Sequence, residues 1–67
     1  PIQYAMTQNN LGNAYSTLAE VEDKAANCKR AIAAFTEALK VFTAEDFPYQ
    51  NHVVQSNLEI LKNIYSG

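Results

Sequence analysis

Four side chains in this 67-residue sequence could carry chemistry: the single cysteine Cys28, the single histidine His52, and the adjacent carboxylates Glu45 and Asp46. A nucleophilic thiolate needs a base or a positive charge beside it to lower the thiol pKa. Cys28 instead belongs to a series with Val21, Ala25, Ile32, Phe35, Leu39 and Phe42, spaced alternately by four and three. That is one helical stripe, on which Lys24 is the nearest basic residue, so a buried and inert thiol is expected. Glu45, Asp46 and His52 flank a turn without the fixed spacing that zinc ligands show, so solvated charge is the expected role of the carboxylates. His52 is expected on the surface near a helix start. There is no Gly-rich phosphate loop, Ser-His-Asp set or nucleophile motif. No catalytic residue, metal or cofactor is expected, and the chain is read as not an enzyme.

The elements that hold these residues follow from composition. Residues 1–67 are read as a single domain. Hydrophobic residues make up 48% and charged residues 18%, enough apolar material to fold. Ten alanines against two glycines and two prolines favour a few long helices over a sandwich of many turns. The net charge of −2 lacks the basic footprint that nucleic acid or an anionic membrane requires, and neither is an expected partner. A chain this short buries only about 60% of its unfolded surface. One cysteine cannot form an internal disulfide, and its use fits a reducing, cytoplasmic compartment. Stabilisation is therefore expected from partner subunits or from neighbouring segments of a longer chain, which a start at Pro1 also suggests.

The stripe through Cys28 predicts a helix over about 22–43, flanked by the small residues Ala31, Ala34, Ala38 and Val41, so that two adjacent faces are apolar. Residues 2–18 contain no proline and no charge, and Tyr4, Leu11, Tyr15 and Leu18 repeat at helical spacing, which predicts a first helix. Phe47-Pro48 breaks the chain, because a residue before proline is pushed out of the helical region and proline suits a first helical turn. A third helix is predicted over about 50–65, carrying Val54, Leu58, Leu61 and Tyr65 on one face with Val53, Ile60 and Ile64 beside it. Ser66-Gly67 is expected to end it. Short connections make the three helices antiparallel neighbours.

Shifted by 47 residues, the chain matches itself. Pro1 falls on Pro48, Gln3 on Gln50, Gln8 on Gln55, Asn10 on Asn57 and Leu11 on Leu58. The third helix reads as a second copy of the first, so residues 1–47 form a full helix-turn-helix repeat and 48–67 a half repeat or capping helix. Leu11-Gly12-x-x-Tyr15 and Ala31-x-x-x-Phe35-x-x-Ala38 resemble the tetratricopeptide (TPR) signature. Ala31 follows Tyr15, and Pro48 follows Ala38, at wider intervals than in that family, which lengthens its usual 34 residues to 47. The resemblance implies an all-α, antiparallel TPR-like solenoid fragment of three helices. Leu11, Gly12, Tyr15, Ala31, Phe35 and Ala38 would pack the repeat, with Gly12 permitting close approach to the second helix and Phe35 filling the contact. In the second copy Glu59 and Lys62 replace Gly12 and Tyr15, so no standard partner helix should follow there.

Ten of the twelve charged residues lie between Glu20 and Asp46, while the polar face of the first helix is built from uncharged amides and hydroxyls. Such a face suits contact through hydrogen bonds with another surface. By resemblance to TPR grooves, Met6, Asn9, Asn13 and Ser16 would face a bound segment, and the absence of basic residues there argues against carboxylate capture. The expected function is a noncatalytic interaction or scaffold module that binds protein or peptide segments, adjacent repeats or its own copies, and that forms homo-oligomers. The alternative is a small independent helical bundle for dimerisation or phosphotransfer-like regulation.

Overall fold

Proline is tolerated at a helix start, where its missing N–H would have no partner anyway. In the computed structural model, which describes residues 1–66, both prolines occupy such positions. The helices are α1 (Ile2–Ala19), α2 (Lys24–Val41) and α3 (Pro48–Ser66), and the described residues contain no strand. Pro1 precedes α1 and its carbonyl accepts the Ala5 amide at 2.9 Å. Pro48 is the first residue of α3. The fold class is all-α with three helices. Gly67, expected at the end of α3, lies outside the described residues.

The connections explain why α2 is shorter at both ends than its periodicity predicts. Asp23 adopts φ 38° and ψ 62°, a left-handed conformation outside the helix, and its carboxylate accepts the Ala26 amide at 3.4 Å as an N-cap. Glu22 and Asp23 therefore belong to the turn. Asn27, 2% exposed, pins that turn by donating its amide to the Glu22 carbonyl at 3.0 Å and accepting from Arg30 at 3.0 Å. At the other end Phe42 leaves helical geometry. Its carbonyl accepts the side-chain amide of Asn51 at 2.8 Å, and its ring meets Phe47 edge-on with centroids 5.3 Å apart.

Helix α2 is the shared element. It packs extensively against α1 and also holds α3, whereas α1 and α3 barely touch. The second principal extent is 20 Å, wider than two Cα cylinders in contact need when helix axes pack about 8–10 Å apart. The core runs along α2 through Cys28, Ala31, Phe35, Ala38 and Phe42, and α3 contributes Val54, Leu58 and Leu61. Helix α1 contributes its small residues, Ala5 and Ala19, with Gly12 buried between them. Of the residues whose spacing predicts α1, Tyr15 packs against the core, whereas Tyr4, Leu11 and Leu18 are 48%, 40% and 37% exposed. Leu11, expected to pack the repeat, is largely exposed, because the line along which α1 approaches α2 runs through Ala5, Gly12 and Ala19. Val21, read as the start of the α2 stripe, is 79% exposed in the turn.

Candidate functional site

The approach of α1 to α2 is set at one point. A Cβ at Gly12 would lie 2.6 Å from Cδ1 and Cε1 of Phe35, inside van der Waals contact. Phe35 is fully buried, as are Ala31 and Ala38 on the same helix, and Tyr15 packs half-buried against them. With α1 drawn against one side of α2 and α3 seated on another, the gap between α1 and α3 opens into two clefts.

The larger cleft, about 420 Å³, lies between the end of α1, the start of α2 and the later part of α3. Asn13 and Ser16 form its α1 wall, Cys28 and Phe35 its floor, and Ile60, Leu61 and Ile64 its α3 wall, with Glu20 and Lys24 at one end. The smaller, about 270 Å³, lies at the opposite end, where Met6 and Asn9 face Phe42, Phe47, Val53 and Val54. Met6, Asn9, Asn13 and Ser16 are thus one row along α1 that borders both clefts. Met6 is 54% exposed and Asn13 is exposed, while Asn9 and Ser16 are half-buried. The Ser16 hydroxyl donates to the Gly12 carbonyl at 2.9 Å. The side-chain oxygen of Asn9 is buried without a hydrogen-bond partner, which leaves an acceptor able to take an N–H or O–H.

The clefts are chemically plain. Cys28 is fully buried and free. His52, Glu45 and Asp46 are exposed, and the described residues contain no group of three or more histidine, cysteine or acidic residues able to hold a metal ion. An ionic cluster of Tyr4, Glu37 and Lys40 lies outside the clefts. Tyr4 donates its hydroxyl to Glu37 at 2.8 Å, and Lys40 pairs with the same carboxylate at 2.6 Å. The hydrogen bonds from Lys40 and Tyr4 hold the Glu37 carboxyl below the usual range, and the bond to Glu37 raises the Tyr4 phenol and the Lys40 ammonium.

The α3 wall was not legible as part of a site. Ile60 and Ile64, 58% and 48% exposed, read in sequence only as a flank of the core face, and no local pattern marks which helix they confront. No family model, curated protein or solved structure matches the chain. No described helix is long and apolar enough to cross a membrane.

Proposed function

We propose that the chain is a noncatalytic interaction or scaffold module of TPR-like type, working in the cytoplasm. It takes protein segments, including those of its own copies, into the clefts between α1 and α3. One observation carries this reading: the uncharged row Met6, Asn9, Asn13 and Ser16 borders both clefts, and Asn9 leaves a buried acceptor there unpartnered. An apolar floor with a few fixed polar groups suits a peptide, whose backbone supplies N–H donors. The 47-residue self-match and the Gly12–Phe35 contact support the repeat character.

Amide spectra of the full chain recorded across a concentration series, alongside light scattering, test this. The expected result is a rising mass with shifts concentrated at Met6, Asn9, Asn13 and Ser16, suppressed by Asn13→Lys. A monomer at every concentration removes self-association, and shifts clustered elsewhere remove the clefts as the site. The exposure of His52 favours the second reading, a dimerising or phosphotransfer-like bundle, and phosphorylation of His52 by acetyl phosphate would select it.

A further inference from the structure

The larger cleft ends in two opposite charges that do not meet. Glu20 and Lys24 both line it, and no ion pair joins them. Each also stands on the helix end that matches its own sign. Lys24 is the first residue of α2, whose first turn holds no acidic side chain, and Glu20 closes α1, whose last turn holds no basic one. A helix N-terminus carries partial positive charge and a C-terminus partial negative charge, so neither placement stabilises the helix it adjoins. Together they polarise one end of the cleft. The Asp23 carboxylate, between them in sequence, accepts the Ala26 amide and does not line the cleft. Ser16 extends the polar end along α1. It lies four residues before Glu20, on the same helical side, and its hydroxyl proton goes to the Gly12 carbonyl at 2.9 Å, which leaves its oxygen to accept. Beyond these groups the cleft is apolar, with Cys28 and Phe35 below and Ile60, Leu61 and Ile64 to one side.

We propose that this cleft binds a free apolar α-amino acid of the size of leucine or phenylalanine. Its ammonium pairs with Glu20 and donates to Ser16, its carboxylate pairs with Lys24, and its side chain lies over Phe35 against Ile60 and Ile64. The two charges decide the class. A fatty acid or other monoanion would meet the Glu20 carboxylate, an amine would meet the Lys24 ammonium, and a neutral apolar molecule would use neither. A zwitterion with both groups on one carbon satisfies both. The remaining lining is uncharged, which calls for an uncharged side chain. At about 420 Å³ the cleft falls within the range of about 300–1,000 Å³ usual for small-molecule sites. The smaller cleft has no charged lining residue and offers no such end. A bound amino acid touches all three helices, including the α1 and α3 that otherwise barely meet, so it holds α3 in place. The proposal rests on the cleft reading and divides it: the larger cleft takes the amino acid and the smaller one is left to protein segments.

The test is an amide and methyl NMR titration of the full chain with L-leucine, L-phenylalanine and four analogues. Leucine and phenylalanine should shift Ser16, Cys28, Ile60 and Ile64 saturably. N-acetyl-leucine lacks the ammonium and leucinamide lacks the carboxylate, so each should bind about tenfold more weakly, as expected for the loss of one charge-assisted hydrogen bond. Glycine, without a side chain, and N-acetyl-leucinamide, without either charge, should not saturate. Glu20 and Lys24 are exposed, so Glu20→Gln and Lys24→Gln should leave the Tm of the free chain nearly unchanged while each weakens leucine about tenfold. No saturable shift with either amino acid, or equal leucine affinity in the wild type and both variants, overturns the proposal. So does leucinamide or N-acetyl-leucine binding as tightly as leucine, which would make the occupant a polypeptide terminus. These failures leave the interaction-module reading standing, because self-association is read at Met6 and Asn9 in samples without amino acid. A chain that binds leucine but stays monomeric removes self-association and keeps the amino-acid site.

Discussion

A methyl group at position 12 would enter the Phe35 ring, which lies 2.6 Å from the site of the added carbon. In an exposed helix Gly→Ala gains about 1 kcal/mol of helix propensity. Here overpacking costs about 1–3 kcal/mol, because the fully buried Phe35 ring must leave its packed position to admit the added carbon, so Gly12→Ala should lower stability in urea unfolding. The loss should shrink in a Phe35→Leu background, because the clash belongs to the pair and a double-mutant cycle isolates it. Phe35→Ala should cost about 3–5 kcal/mol, a large share of what a domain this small possesses. A second single-residue prediction concerns Asp23, held at φ 38° while it caps α2. Asp23→Ala loses the cap and keeps the left-handed strain, and should cost about 1 kcal/mol or more. Asp23→Asn retains both properties and should fall within a few tenths of wild type in the same assay.

Between elements, the link from α1 to α2 through Tyr4, Glu37 and Lys40 makes stability depend on pH at both ends. Glu37 has a folded pKa below its ordinary 4.5, so its contribution is present above that value and lost as pH falls through the lowered one. Tyr4 and Lys40 are raised above 10.0 and 10.5, so theirs is present below those values and lost as pH rises through the raised ones. Tyr4→Phe should lower Tm slightly at neutral pH, and the gap from wild type should narrow in strong acid; an unchanging gap would show that the bond contributes nothing. The elements themselves were legible because each rule acts locally: Pro48 opens α3 and the Cys28-Phe35-Phe42 stripe runs down α2. Their ends were less so, since the start of α2 depends on the backbone of Asp23 and its finish on Asn51, nine residues downstream of Phe42. Of the α1 residues expected to pack the repeat, Gly12 and Tyr15 meet the core and Leu11 stays exposed, for a physical reason. Large apolar residues signal burial by area, but a close helix contact selects small ones, so Ala5, Gly12 and Ala19 go in while Leu11 and Leu18 stay out. The row Met6, Asn9, Asn13 and Ser16 could be drawn as one face of α1. The clefts it borders depend on how far α3 stands away, which no local pattern encodes.

For the molecule as a whole, one interface is much the more extensive. Helix α1 meets α2 along nearly its full length, α3 meets α2 less extensively, and α1 hardly meets α3. Regions with fewer buried contacts open at lower free energy, so amide exchange under native conditions should release α3 before the centres of α1 and α2. Uniform exchange of all three helices would show that α3 is bound into the same cooperative unit. The near-absence of contact between the two outer helices also governs time. Almost every contact joins helices adjacent in the chain, across turns of four and six residues, and chains dominated by such local contacts fold in microseconds to milliseconds. The α1–α2 hairpin should form first and α3 close onto it afterwards, so Phe35→Leu should slow folding while Leu58→Ala mainly hastens unfolding.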